Sequence, residues 1–528
     1  MVFKDKVFER PQGTYVQKRN GKSYLYQYTE HKRINSKTTR HSSKIIGILE
    51  DNQFFPNQNY YEINNLEPLL HSKEILNWGY SKIYHKSFYD TGLNELLVSA
   101  LGEDLTRKIE TLSQYFVLTG ESTSIGVNDW MEDNFFDYET PLLTTQSISK
   151  IYTQLGSSEE NLETFKLKWF NKIKTEEIVA YDVTSISTYS DNIAIAAMGY
   201  NRDKENLEQI NLGMFCGLES KKPAYYSIYD GSINDKTNLP YVVDNIDENI
   251  LNKVLLVLDG GFCEEKCLKK LTNSTKSFIV GVPPERDFIK TYSPKNKYEK
   301  VLSALNSIGE NGEFGFFIDA TLYGIEGRLL VGFNSAKHDN LCTILRARIA
   351  KLEEELLKIK RLPKPEKLKR FEKYFDIKPD DKGGFTYSLK EDVINEESKE
   401  YGFFYLFTNH PTITAVDGLY FYRAKDCDEK LFYQLKIYLD CNRLRIHSDT
   451  SLIGKTFVIF IAQIMRAHLY KKLEKNLKFH RLTFDTMLKK IKALKISVSE
   501  DGKERHFIKA PTKLQKDIFD NFDIELKP

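Results

Sequence analysis

Val254-Leu255-Leu256-Val257-Leu258 is an unbroken apolar run that ends on Asp259-Gly260-Gly261, and no other feature limits the fold of this chain so tightly. A strand that is apolar on both faces has to lie between two covering layers, which points to the centre of an α/β sheet. A second run, Ile178-Val179-Ala180-Tyr181-Asp182-Val183-Thr184-Ser185-Ile186-Ser187, is nearly as apolar but carries Asp182. Burying a carboxylate is costly unless a cation or metal meets it, so an acid on or at the end of a core strand needs a reason. An ordinary reason exists for either residue alone, because an Asp that follows a strand often caps the next helix.

The surroundings extend the same architecture. Ile193 to Met198, Ile210 to Phe215 and Ala224 to Ile228 are separated by polar or glycine-bearing turns and predict a meander of neighbouring strands. A helix is expected after Asn234-Asp235-Lys236-Thr237, before the central strand. The order predicts a mixed sheet flanked by helices. Further strands are expected at Phe278 to Val282, Phe314 to Ile318, Leu329 to Phe333 and Phe403 to Phe407, with helices over 416–440 and 452–475. Between them, Leu345, Ile349, Leu352, Leu356 and Ile359 step by 4, 3, 4 and 3, a short coiled-coil seam that breaks at Pro363 and Pro365. Such a seam is read as a helical arm packed on its own domain rather than a dimer zipper. Upstream, Tyr24, Tyr26 and Tyr28 alternate after the turn signal Asn20-Gly21 and predict a β-hairpin, and the leucines from Leu93 to Leu105 predict helices.

The expected organisation is a basic β-rich module over 1–60 and a helical domain over 66–175, both candidates for DNA binding. An α/β core then occupies 176–277 and 401–475, interrupted by a β-rich insertion over 278–400, and a basic region covers 476–528. Hydrophobic residues make up 41% and charged residues 28%, which excludes a largely disordered chain. Net charge is only +2, yet residues 1–48 hold eleven Lys or Arg against three acids and residues 466–528 hold sixteen against nine. Basic ends of this kind suit DNA phosphates, although a solvated charged surface accounts for either end alone. The start has no apolar core of a signal peptide and no apolar run approaches the roughly 18 residues of a membrane span, so a cytoplasmic protein with no membrane partner is expected. The six cysteines are scattered and are expected to be reduced thiols; Cys263 and Cys267 lack the further ligands of a zinc site, and His410 and His447 receive no role.

The third acid comes from the segment Tyr422 to Lys436. Tyr422, Lys425, Glu429, Phe432 and Lys436 step by 3, 4, 3 and 4, which aligns them along one helical stripe. A stripe mixing Tyr, Lys and Glu is not a core face, and an exposed Lys425–Glu429 ion pair would account for it if the helix stood alone. The pattern Tyr422-x2-Lys425-x3-Glu429-x6-Lys436 resembles the Tyr-Arg-Glu-Lys signature of a large group of bacterial insertion-sequence transposases with a ribonuclease H-like catalytic core. Tyr181 to Ser185, Gly199-Tyr200-Asn201-Arg202-Asp203, Gly231 to Thr237, Leu258 to Phe262 and Leu406 to Asn409 resemble further blocks of the same family, in the same order.

The resemblance implies that Asp182, Asp259 and Glu429 form a DDE triad holding two divalent ions, Mg²⁺ or Mn²⁺, for phosphoryl transfer on DNA. It implies that Tyr422, Lys425 and Lys436 position phosphates and end nucleotides, that terminal inverted repeats and target DNA are the partners, and that a homodimer synapses two ends. The third acid lies 170 residues beyond the second, a gap that an inserted β-rich domain fills in the resembled family. Lys425 stands where the signature has Arg, which keeps the charge and loses the bidentate fork. Asp426 and Asp428 flank Glu429, and the register of Phe432 and Lys436 selects Glu429 as the ligand. Some relatives trap a flipped base on a tryptophan of the insertion, but Trp78, Trp130 and Trp169 all precede the core here. Two other readings stay open on the residues: a nuclease of the same core that only hydrolyses, and a non-catalytic DNA-binding derivative.

Overall fold

The computed structural model describes residues 10–19, 21–33, 39–50, 53–64, 72–176, 178–245, 254–274, 276–310, 312–359, 361, 364–380, 383–499 and 505–528. Asn20 and Pro363 lie outside these residues, as do the side chains of most of the basic segment from Lys32 to Lys44.

Near the N-terminus, β1 (Thr14–Arg19) and β2 (Lys22–Arg33) form the hairpin that the tyrosine alternation predicts, with β3 (Thr39–Glu50) and β4 (Gln53–Pro56) completing a four-stranded sheet. The period of two separates its faces. Leu25 turns inward onto Ile46 and Phe54, while Tyr15 stacks on Tyr26 with ring centroids 5.3 Å apart. After β5 (Ser72–Asn77), helices fill the region up to Glu176.

The core sheet begins with β6 (Val179–Ser187), β7 (Gln209–Gly217) and β8 (Pro223–Asp230), which run as an antiparallel meander. Next come β9 (Leu255–Leu258), β10 (Ser277–Gly281), β11 (Ser307–Gly309), β12 (Glu313–Leu322), β13 (Ile325–Asn334) and β16 (Phe403–Thr408). Nine strands pair in the order β11-β12-β13-β16-β10-β9-β6-β7-β8, parallel where β9 meets β6 and β10, antiparallel elsewhere. This is the mixed, helix-flanked, ribonuclease H-like sheet expected from the sequence. The helices Glu159–Glu176 and Asp449–His480 pack on β8, and the helix Asp426–Tyr433 packs on β6 and β7.

Three expectations are corrected. Ile193 to Met198 does not form a strand: Ala197 makes a single bridge to Gln209, the first residue of β7, and the residues around it are loop. The strands assigned to a separate insertion instead prolong the core sheet, because β13 pairs along β16 and β12 along β13; the expected boundary at 278 falls inside β10. Within 335–400 only the helix Ser335–Leu357, β14 (Phe375–Pro379), β15 (Phe385–Leu389) and the short helices around them build a core of their own, where the seam residues Leu345, Ile349, Leu352 and Leu356 pack on Phe371, Tyr374 and Phe375. Finally, the Asp449–His480 helix is long and apolar enough to cross a membrane by length and composition, a run the sequence reading passed over. It is 89% buried over its most apolar window and serves as the central core helix, which is why it is hydrophobic all round.

That helix meets the helix Thr145–Gly156 backbone to backbone. A Cβ at Gly454 would stand 2.0 Å from the Tyr152 carbonyl oxygen, and one at Gly156 would stand 1.9 Å from that of Thr450. Helix propensity alone favours Gly454→Ala by about 1 kcal/mol. The steric clash reverses the sign, so Gly454→Ala is expected to destabilise by about 1–3 kcal/mol, read as a lowered urea midpoint; an unchanged or raised midpoint would show that the two helices do not approach this closely.

Candidate functional site

The parallel pairing of β6 with β9 fixes the site. Tyr181 lies opposite Leu258 in that ladder, so the next residues, Asp182 and Asp259, emerge side by side where the two strands end their pairing. Asp182 is the single residue of β6 that is not fully buried. Its carboxyl is pushed up to about 6, first by desolvation and then by the negative charge of Asp259, against the pull of the Val183 amide, Lys425 and Arg202. Asp259 stands at the N-cap position of the short turn Gly260–Phe262 but makes no side-chain cap bond. The capping explanation therefore fails for it.

Asp259 is engaged from the stripe instead. Lys425 is buried and places its Nζ 3.4 Å from Asp259 Oδ1, and the Tyr422 hydroxyl donates to the same oxygen at 3.3 Å. Burial raises the Tyr422 phenol, and the Asp259 charge raises it further, so it stays protonated as a donor. A Cβ at Gly281 would meet the Tyr422 hydroxyl at 2.4 Å, so the glycine ending β10 is what lets the tyrosine reach the acid. The helix Ala415–Ala424 that carries Tyr422 is in turn tied to β12 by an ion pair between Arg423 and the buried Glu313.

The stripe does not continue as one regular helix. Lys425 separates the helix Ala415–Ala424 from the helix Asp426–Tyr433, and a π-helical turn, Gln434–Tyr438, follows. A π turn shifts the phase of a helix and recurs at functional sites. Here Tyr422 and Lys425 meet Asp259, whereas Lys436 is bound 2.5 Å from Asp203. Glu429 is exposed, and it does not close on the two aspartates: among the described residues no three acidic, histidine or cysteine side chains are grouped as metal ligands. Asp426 is exposed as well, and the side chain of Asp428 lies outside the described residues.

The loop Gly199 to Glu205 returns over β6 and brings in Arg202 and Glu205, to which the sequence pattern assigns no role. The Arg202 amide donates to Ser185 Oγ at 3.1 Å, and the Arg202 charge acts on Asp182. Glu205 accepts from Ser187 at 2.7 Å and pairs with Arg443 at 2.7 Å. Close backbone approach holds the loop: a Cβ at Gly199 would lie 1.9 Å from the Gly231 oxygen. Gln209 donates to the Tyr200 and Gly231 carbonyls, and Asn211 to those of Asp230, Gly231 and Ile233. The two glycines were the available signal, since glycine marks close approach, but only the fold shows which segments meet. All six cysteines are buried, and all three tryptophans are core residues.

The metal-free acid pair stores a cost. Because the folded protein binds a proton at Asp182 up to about pH 6 and the unfolded chain only to about 3.8, stability falls as pH rises between those values and stays reduced above them. In the presence of a chelator, Asp182→Asn is expected to stabilise the protein by about 2–3 kcal/mol at pH 8. The gain should vanish near pH 4, and a gain that persists there would sink this account of Asp182.

A family model described as a transposase DDE domain matches residues 173–448, just over half of the chain. No curated protein matches. Among solved structures the chain is similar to a piggyBac transposase synaptic complex with hairpin DNA determined by cryo-electron microscopy, at 10% identity and a TM-score of 0.31, covering 78% of this chain and 70% of that one. The matched span opens just before β6 and runs past the π turn, so that it takes in both aspartates and the whole stripe, and by that match the chain belongs to the DDE transposases.

Proposed function

We propose that this transposase cuts the ends of an insertion sequence and joins the freed 3′-hydroxyls to target DNA, with Asp182, Asp259 and Glu429 holding two divalent ions, Mg²⁺ or Mn²⁺. The observation that carries the reading is the adjacency of Asp182 and Asp259, with a lysine ammonium already seated on Asp259. Carboxylate oxygens are the hard ligands these ions prefer. Asp182 is short of positive charge, as its raised pKa records, and Lys425 occupies the place of a cation on Asp259. The residues therefore fit the ions. Divalent ions bound there supply the charge that activates an attacking oxygen and stabilises a leaving one during in-line displacement at phosphorus.

The remaining roles belong to the chain. Lys425 and Tyr422 both engage Oδ1 of Asp259, so a cation at the acid pair competes directly with the Lys425 ammonium. Released from Asp259, Lys425 is a phosphate ligand beside the scissile bond, a point charge rather than a bidentate fork. Lys436, held by Asp203, is the second such cation. Tyr422 keeps its proton and orients the end nucleotide or the acid. Glu429, four residues beyond Lys425 on the helix Asp426–Tyr433, would be the third carboxylate to hold the ions. The N-terminal β-rich module and the helical region that follows it are assigned to the terminal inverted repeats, and two copies to the synapsis of two ends. The setting is the bacterial cytoplasm, at the nucleoid.

Metal-dependent cleavage of a labelled element-end duplex tests the reading. Wild type is expected to nick at the end and join it to a target plasmid under Mg²⁺ or Mn²⁺, while Asp182→Ala, Asp259→Ala and Glu429→Ala bind the duplex and lose both steps by at least about 10²-fold. Mn²⁺ should raise the melting temperature of wild type and leave that of Asp182→Ala unchanged. An active Glu429→Ala removes the third ligand from the proposal; cutting without joining leaves a nuclease; binding without cutting under either metal overturns the catalytic reading.

A further inference from the structure

Beyond the acid pair, a cleft of about 810 Å³ opens between the loop after β6 and the segment Asn442 to His447, with Asp203 and Glu205 on its near side. A cavity this size falls in the range that accommodates small-molecule ligands. Its walls are held in place with unusual care. Arg443 makes a parallel bridge to Ser187, buried Lys455 donates to the Leu444 carbonyl at 2.9 Å, and Ser122 donates to that of Asp440 at 3.3 Å. Asp440 and Arg445, neither a glycine, both adopt φ of 50° and are bonded to each other through the Arg445 guanidinium. Left-handed backbone at non-glycine residues is strained and persists where the surroundings over-determine it, most often at functional sites.

Into this cleft projects Tyr189, 73% exposed. An aromatic ring left so open is not held by packing, yet it is oriented: the Arg443 guanidinium lies 5.2 Å from its centroid, and Arg443 is itself fixed by Glu205. One face of the ring is thus propped by a cation while the side chain as a whole stays open to solvent. The charges of the lining are paired within the protein, Asp203 with Lys436, Glu205 with Arg443 and Arg445 with Asp440. A neutral cleft with a propped aromatic platform suits the flat face of a base better than a phosphate. Six residue steps of extended chain lead from Asp182 to Thr188, roughly 20 Å, the reach of a few nucleotides.

Resting on the transposase reading above, we infer that this cleft is a single-strand site: an unpaired base of the DNA strand running from the acid pair stacks on Tyr189, with the exposed Asn442 available to its polar edge. Duplex DNA, whose bases are already stacked, gains nothing from it. The platform therefore discriminates by strandedness and not by sequence.

Fluorescence anisotropy with a labelled single-stranded oligonucleotide and the corresponding duplex, in a chelator so that no cleavage intervenes, tests the inference. Tyr189→Ala is expected to weaken single-strand binding about 5- to 100-fold, with duplex binding unchanged and Tyr189→Phe close to wild type. Tyr189→Trp is expected to bind the single strand and to lose indole fluorescence on doing so. Unaltered single-strand affinity in Tyr189→Ala, or an indole signal unmoved by the oligonucleotide, overturns the stacking site and leaves the transposase reading intact. A wild-type protein that binds neither form overturns both. Because Tyr189 is exposed, equal melting temperatures of all variants verify that the fold is not what changed.

Discussion

The parallel ladder between β6 and β9 is the constraint on which everything at the site depends. It sets Tyr181 against Leu258 and so makes neighbours of two acids that are 77 residues apart in the chain. Side chains alternate between faces along a strand, so a slip of one residue would send Asp182 to the opposite side of the sheet from its partner. The ladder resists slipping because both strands are apolar and buried along almost their whole length. The same burial that guarantees the register raises the Asp182 carboxyl, so the pairing that creates the site also disfavours its charged form. Fold and chemistry pull against each other at one residue, as expected where a stable sheet carries a reactive group.

The blocks that carried the family resemblance prove to be mainly architectural, with only two acids among them reaching the acid pair itself. Tyr181 packs its ring over Gly213 and its hydroxyl accepts from Asn238, so the Tyr181 to Ser185 block is braced against the helix that the Gly231 to Thr237 block begins. Asn409 accepts from the Phe278 amide and donates to the Lys276 carbonyl, fastening the start of β10 to the end of β16. Gly199 and Gly231 let two loops touch through their backbones over Gln209. Each of these staples satisfies buried polar groups that would otherwise cost on the order of 1–3 kcal/mol apiece. Their joint effect is to hold Arg202, Asp203 and Glu205 over β6, where the stripe from the other end of the chain can meet them.

Much of this was legible beforehand for a physical reason: period and apolarity report local structure and burial directly. The central strand, the strand carrying Asp182 and the tyrosine hairpin all follow from patterns within a few residues. What the pattern could not carry was anything decided by distant contact. Ile193 to Met198 is apolar enough for a strand, but its partner would have to be the edge residue Gln209, and a single bridge is all that forms. The strands after residue 307 looked like a separate unit because nothing local tells β13 that its free edge will meet β16. The break at Lys425 and the π turn at Gln434–Tyr438 escaped for a related reason, since each residue there has ordinary helical propensity and the departure is dictated by what Lys425 and Lys436 reach across to bind. The Asp449–His480 helix was underestimated because its polar members, Lys455, Gln463 and Arg466, interrupt the apolar run, yet all three are buried with partners of their own.

The cations around the site share one design. Lys425 rests on Asp259, Lys436 on Asp203 and Arg443 on Glu205, so each positive group that could meet a phosphate or a base is first met by an acid of the same chain. Such pairs lower the net potential and with it the counterion-driven, sequence-blind attraction to any DNA. They also make the exchange conditional. Freeing Lys425 requires that something else satisfy Asp259, and on the proposed reading that is the metal, so the cation that enables the chemistry is the one that releases the phosphate ligand. On that reading linkage would make the relation reciprocal: DNA that drew Lys425 away would leave Asp259 uncompensated and would raise the affinity of the acid pair for a cation by the same factor.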